Sequence, residues 1–333
     1  MSISVISPGL LTTVQDLGRT GYQKYGVILS GAMDTYAMRL SNIMIGNKEN
    51  EGVLEITIIG PSLKLDKGTL FSITGANLSP TIKGREIPRG RPIYLFKNCI
   101  LNFGACKAGC RCYLSVAGGF DVPNVMESKS TYLRAEFGGF NGRALRKDDV
   151  LSIGDKSSDS AEIIKKMEAI NKGDDFVATS WYMKNFIMQN SESTVIRVFP
   201  DRQFDSVSKK SIDIFFSSKF NIDNKSDRMG YSLSGEKIEF KEKLEMISES
   251  VSIGTIQIPP DGNPIILLAD AQTVGGYPKI AHVAQVDIQK IVQLKPNDKL
   301  TFKKITLKEA EKLYFEREKY IEELKKSMQL III

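Results

Sequence analysis

The sequence predicts a mainly β protein made of two related β domains, and three observations carry that prediction. Short runs rich in Ile, Val, Phe and Tyr, bounded by Gly, Pro, Asn or Asp, recur along the 333 residues. Helical periodicity appears in few places. Two local patterns each occur twice, in the same order.

The strand-like runs include Ser2–Ile6, Thr69–Thr74, Ile93–Phe96, Tyr113–Val116, Val150–Ile153, Thr194–Phe199, Ile265–Leu268 and Lys299–Phe302. One helix is expected over Met33–Ile45, where Leu40, Met44 and other apolar residues follow a three-to-four spacing. A second is expected over Thr306–Gln329. It opens on Thr306 with Glu309 three residues on, the pattern of a capping box, and is then laced with Glu and Lys.

The duplication pairs Pro88-Arg-Gly-Arg-Pro92-Ile93 with Pro260-Asp-Gly-Asn-Pro264-Ile265, each followed by a short apolar strand. It also pairs Leu145–Ile153 with Leu294–Phe302, each an Asp-containing turn leading into a strand. Between the copies, Asp155–Asp175 is polar and charged with a brief helical stretch, which reads as a linker or surface excursion and sets the boundary near 155–190.

Composition excludes several classes. At 42% hydrophobic and 25% charged residues the chain is an ordinary globular protein rather than a disordered one. No apolar run approaches the roughly 20 residues of a membrane span. The N-terminus lacks the basic and apolar regions of a signal peptide, so a cytoplasmic address is expected. The net charge of +6 is spread along the chain, which argues against nucleic acid and suits an anionic small substrate. Cys99, Cys106, Cys110 and Cys112 lack a C-x-x-C knuckle. Cys110 and Cys112 fall on one face of a strand, and all four read as structural, reduced thiols with no metal.

No P-loop, dinucleotide fingerprint or nucleophile elbow is present, and His282 is the only histidine. Catalysis therefore falls to carboxylates, Lys, Arg, amides, hydroxyls and backbone N–H groups. Three segments concentrate these. In Leu268–His282 an apolar strand ends at Asp270, followed by Gln272, Thr273, Gly275, Gly276, Tyr277 and Lys279. The two glycines allow close backbone approach or positive φ, Asp270 can act as a base, Lys279 can hold an anion, and Gln272 can read an amide. A plain Gly-Gly loop between strands would use the same residues. In Ser226–Tyr231, Asp227 and Arg228 precede a glycine, as an anion clamp or as a turn ion pair. In Ser30–Asn42, Asp34 stands at a helix start with Arg39 and Asn42 on one face, an arrangement that an anion site and an ordinary capped helix share.

These segments, with YLSVAGGFDVP and IPPDGNPIILLADAQTVGGYPKIAHV, resemble one family from about Val5 to about Ala310. It is the family of the KipI antagonist, the 5-oxoprolinase C component, allophanate hydrolase subunit 2 and the second half of the urea-carboxylase carboxyltransferase domain. The resemblance implies tandem cyclophilin-like β-barrels: a first domain over 1–155, a linker or excursion over 156–190, a second domain over 191–305 and a C-terminal helix over 306–333. The sequence departs from the family at Ala271, where an Arg is usual, and at Val274, where a Thr is usual. Glu127-Ser-Lys-Ser130 replaces Gly-Ser-Arg-Ser, and Phe199-Pro-Asp-Arg-Gln203 replaces a shorter Gly-Pro-Gln stretch.

What the resemblance implies is the C component of a prokaryotic ATP-dependent 5-oxoprolinase, a hydrolase acting on a cyclic amide. Its partners would be a KipI-like B component and a LamB/YcsF-like A component, and it would be active only with them. ATP with Mg is expected in the holoenzyme. Asp270, Lys279 and Asp227 are the expected catalytic residues. Arg228, Gln272, Thr273, Gly275, Gly276, Tyr277, Asp34, Arg39 and Asn42 are the expected substrate-binding residues. The sequence carries no attached biotin carboxylase or biotinyl domain, which favours this reading over a biotin-dependent carboxyltransferase acting on urea or a related amide. A non-catalytic KipI-binding antagonist is the third alternative.

Overall fold

The computed structural model describes residues 1–184 and 193–332, which form two compact units. The first comprises Met1–Gly18, Ser30–Gln189 and Ile321–Ile333, and the second Arg19–Leu29 and Asn190–Tyr320. The chain is mainly β, with five α-helices among the described residues.

In the first unit, two six-stranded sheets enclose one core. One sheet runs Val150–Ser152, Ser2–Ser7, Ser62–Leu65, Cys99–Asn102, Thr81–Ile82, Arg85–Glu86. The other runs Phe176–Ala178, Pro92–Leu95, Leu70–Asn77, Ala108–Val116, Val53–Thr57, Leu11–Gln15. Alternation decides which side chains face the core: Ile3 and Val5 point in, as do Cys112, Leu114 and Val116. Tyr113, between them, joins a separate cluster with Ala37 and Met38 of the helix Thr35–Met44. That helix is the one expected over Met33–Ile45. Asp34 Oδ1 caps it by accepting from Ala37 N at 2.9 Å.

The polar stretch after residue 155 is folded onto this unit. Ser157 caps the helix Ser158–Ala169, which buries Ile163 and Met167 against Tyr36, Leu40 and Met44. Phe176–Ala178 adds an edge strand on Pro92–Leu95. Residues 185–190 of the expected excursion lie outside the described residues.

In the second unit, seven strands close a barrel in the order Thr194–Pro200, Lys279–Val283, Thr255–Gln257, Ile265–Leu267, Gly230–Ser234, Phe220–Ile222, Lys299–Lys304. Closure is made by a parallel pairing from Thr194↔Leu300 to Val198↔Lys304. Thr194, Ile196 and Val198 face inward and alternate with more exposed neighbours. The helix Lys209–Ser217 stacks Phe215 on Phe302, with ring centroids 4.4 Å apart.

The duplicated motifs take the same local geometry in each unit. Gly90 and Gly262 both have positive φ (72° and 82°) ahead of a strand. Asp148 and Asn297 are likewise left-handed (70° and 71°). Each sits in the same backbone bracket: Asp148 N and Val5 N bond Val5 O and Asp149 O, and Asn297 N and Ile222 N bond Ile222 O and Asp298 O. An Asp or Asn tolerates this conformation because its short polar side chain bonds locally.

The last helix, Leu307–Ile332, opens on the expected capping box. Thr306 N donates to Glu309 Oε2 at 2.7 Å, and Glu309 N to Thr306 Oγ1 at 3.2 Å. Its early residues Ala310 and Leu313 pack on Val286 in the second unit, and Ile321, Leu324 and Met328 pack within the first. No described helix is long and apolar enough to cross a membrane.

Candidate functional site

The barrel topology brings two of the three singled-out segments together. Gly230 pairs with Leu267 across neighbouring strands, so the turn before one strand meets the loop after the other. Asp270 N then donates to Arg228 O at 2.9 Å. Their side chains form a two-pronged ion pair, Arg228 Nε to Asp270 Oδ2 at 2.8 Å and a terminal nitrogen to Oδ1 at 3.1 Å, each side chain only 6% exposed. A pair this buried and this well matched holds the loop that follows Asp270. Asp227 is exposed and serves the turn itself, its Oδ1 accepting from Met229 N at 2.8 Å.

Lys279 opens the next strand. Gln203 fixes its backbone from both sides: Lys279 N donates to Gln203 Oε1 and Gln203 N to Lys279 O, each at 3.0 Å. The ammonium is nearly buried and meets Glu249 Oε2 at 2.6 Å and Ser250 O at 3.2 Å. The other oxygen of Glu249 faces Arg202 at 3.4 Å. The Lys279 hydrogen bond holds the Glu249 carboxyl below the usual carboxylate range. These three side chains carry one net positive charge.

Glu249–Ser250 reaches Lys279 because it forms a two-stranded ribbon with Val274–Gly275, in register Glu249↔Gly275. Neither Gly275 nor Gly276 has positive φ, and only at Gly275 does the loop need a glycine for space. A Cβ on Gly275 would lie 2.7 Å from Gln257 Nε2 and 3.3 Å from Gln272 Nε2, whereas one on Gly276 would meet nothing nearer than 3.6 Å. Two carboxamides therefore converge on Gly275. Gln257 is buried and donates to Tyr277 O at 3.3 Å. Thr273 O accepts from Val251 N, which ties the ribbon down. Gly276, Tyr277 and Pro278 also line a cleft of about 610 Å³ with Phe240, Met246 and Ile258. The arrangement offers a cation, two amides and an adjoining apolar wall, the chemistry that holds a small anionic amide.

Asp34, Arg39 and Asn42 belong to the first unit. Besides capping its helix, Asp34 has its backbone N donating to the buried Tyr113 hydroxyl, which in turn donates to Glu55 Oε2 at 2.8 Å. Burial pushes that phenol well above its usual range. Arg39 pairs with Glu49 at 2.8 Å. Burial alone would raise the Glu49 carboxyl, but Lys325 and Arg39 hold it low. Asn42 donates to Glu51 O and accepts from Asn47. In the replaced family stretch, Ser128, Ser130 and Lys129 N all donate to Asp16, and the Lys129 ammonium meets Glu51 at 2.5 Å.

Sequence reading missed Glu249, Arg202 and Gln257. Glu249 sits in a charged run with no periodicity to mark it, and Gln257 reads as an ordinary strand residue. Gln203 was visible as the last residue of the altered Gly-Pro-Gln stretch. His282 stacks on Phe199 and shares hydrogen bonds with Val283 O and Ser252 Oγ, and burial lowers its pKa. None of the four cysteines is in a disulfide, and Cys99 and Cys112 lie in the core. No group of three or more His, Cys, Asp or Glu placed to hold a metal ion occurs among the described residues.

Against known proteins, residues 25–304 match the carboxyltransferase domain, subdomain A and B. The chain is 33% identical over 324 residues to the 5-oxoprolinase C component of Haemophilus influenzae, covering 97% of this chain and 98% of that one. It is also 33% identical over 322 residues to the 5-oxoprolinase C component of Escherichia coli, covering 97% of each. Among solved structures it resembles the Kluyveromyces lactis urea amidolyase, with a TM-score of 0.84 at 30% identity. That match covers 97% of this chain and 20% of the amidolyase, so the chain spans about a fifth of its length.

Proposed function

We propose that this chain, which belongs to the carboxyltransferase domain family (subdomains A and B), acts as the C component of an ATP-dependent 5-oxoprolinase. The observation that carries this is the extent of the likeness: it runs over 97–98% of the length of two proteins bearing that name. In this reading the chain works in the cytoplasm with a KipI-like B component and a LamB/YcsF-like A component, and is inactive without them.

The net reaction adds water across the C–N bond of the lactam ring of 5-oxoproline to give glutamate, coupled to hydrolysis of ATP to ADP and phosphate. ATP supplies activation of an amide carbonyl that is otherwise a poor electrophile. The described residues provide no acidic cluster for a magnesium ion, so no step through a metal is assigned to this chain. Its contribution is to bind and orient. Lys279 receives the substrate carboxylate. Gln257, Gln272 and the backbone at Gly275–Gly276 read the lactam N–H and C=O, and Tyr277 walls the adjoining cleft. Both oxygens of Asp270 accept from Arg228, so we assign this pair to positioning the 271–277 loop rather than to proton transfer. Asp227 supports the same arrangement through its turn.

The test is release of glutamate and phosphate from 5-oxoproline and ATP by the three components together. The amidolyase likeness favours one second reading, transfer of a carboxyl group from carboxybiotin to a urea-like amide. Avidin-sensitive carboxylation with a biotinylated partner would select it.

A further inference from the structure

We infer that Glu249 is a built-in stand-in for the substrate's carboxylate, held on Lys279 and Arg202 until an anionic ligand replaces it. The inference deepens the reading above and rests on it only for the identity of that ligand.

Lys279 is the fixed partner. Its side chain is 7% exposed, it belongs to a barrel strand, and Gln203 brackets its backbone. An ammonium buried to that degree requires an opposing charge whether or not substrate is present. Glu249 supplies it from a much lighter attachment. Its strand has two residues, stands outside the barrel, and pairs only with Val274–Gly275. The Glu249 side chain is 31% exposed and Arg202 is 70% exposed, so the carboxylate can turn into water without disturbing the barrel.

One carboxylate spanning two cations is also the geometry that a ligand carboxylate would adopt in its place. Glu249 lies in register with Gly275, where the amides of Gln257 and Gln272 converge. A ligand whose carboxylate takes over from Glu249 would bring its neighbouring atoms to those amides. The ligand class that fits is a small monoanion with an amide close to its carboxylate. The exchange makes and breaks only ion pairs and hydrogen bonds. It also sets selectivity, because a neutral amide cannot displace Glu249.

The purified full chain tests this with three probes: acetate, 5-oxoproline and the uncharged 2-pyrrolidinone. Glu249→Gln should unfold at a lower temperature than the parent in sodium chloride. It should recover with sodium acetate at equal ionic strength, while the parent does not respond. By titration calorimetry Glu249→Gln should bind 5-oxoproline at least tenfold more tightly than the parent, with 2-pyrrolidinone bound measurably by neither. Adding Lys279→Gln should abolish the acetate response. Should Glu249→Gln fail to fold, Glu249→Asp keeps the charge but retracts it by one methylene, and it should show the same gain in smaller measure. An acetate response without any 5-oxoproline binding would uphold the displaceable carboxylate and overturn 5-oxoproline as the substrate. Unchanged or weaker binding of both anions by the Glu249 variants would overturn the inference.

Discussion

Asp287 is fully buried and holds Arg197 through two side-chain bonds and a backbone N–H, with Lys290 at 2.9 Å. Burial alone would raise its carboxyl, but Arg197 and then Lys290 hold it below the ordinary value. A depressed carboxyl stabilises the fold above its unfolded pKa of about 3.9, and that stabilisation is lost as pH falls through the folded value. Asp287→Asn should therefore cost about 3 kcal/mol at pH 7, because Arg197 loses its partner. Urea unfolding should show the gap between variant and parent narrowing well below pH 4. At Gly275 the concern is space rather than φ. Gly275→Ala should destabilise by about 1–2 kcal/mol as its Cβ displaces the Gln257 amide, and Gly276→Ala by no more than about 0.5 kcal/mol. Individual residues were the least legible scale. Asp270, Arg228 and Lys279 stood out by type, and the segments of Asp270 and Arg228 were expected to meet, but nothing in the sequence marks Glu249 as the partner of Lys279. Arg228 finds Asp270 across 42 residues and Lys279 finds Glu249 across 30, contacts that only strand pairing creates.

Elements were legible where local chemistry dominates. The capping box at Thr306 and the helix after Asp34 are written in adjacent residues, and both form as expected. Thr306→Ala should remove both bonds of the hydroxyl to Glu309, one from its backbone N and one to its Oε2, and cost about 1 kcal/mol, read as earlier loss of helical circular dichroism on heating. The helix Ser158–Ala169 was harder to see, because it buries only Ser160, Ile163 and Met167 and its remaining surface is polar. Glu127 takes a left-handed φ of 60° where the family resemblance has glycine. Glu127→Gly should relieve backbone strain and raise stability by up to about 1 kcal/mol in chemical unfolding. The two-stranded ribbon of Glu249–Ser250 and Val274–Gly275 escaped sequence reading because four residues leave no periodicity to detect.

For the whole molecule, the mainly β class and the repeated motifs were readable because turn residues and strand alternation are local signals. Which strands close a barrel is decided by long-range pairing, such as the parallel match of Thr194–Pro200 with Lys299–Lys304. Within that barrel the antiparallel match of Thr194–Pro200 with Lys279–Val283 sets Lys279 beside Gln203 and gives the proposed anion site its rigid half. The most direct measurement is glutamate release from 5-oxoproline and ATP by this chain with its KipI-like and LamB/YcsF-like partners, run in parallel on Lys279→Ala and Lys295→Ala. Lys295 has the same charge but lies at a turn, paired with Asp298. The parent and Lys295→Ala should turn over at similar rates, while Lys279→Ala loses at least a hundredfold, about 2.7 kcal/mol of transition-state binding. No glutamate from the assembled parent, or equal rates for the two lysine variants, would contradict the assignment of Lys279 to the substrate carboxylate.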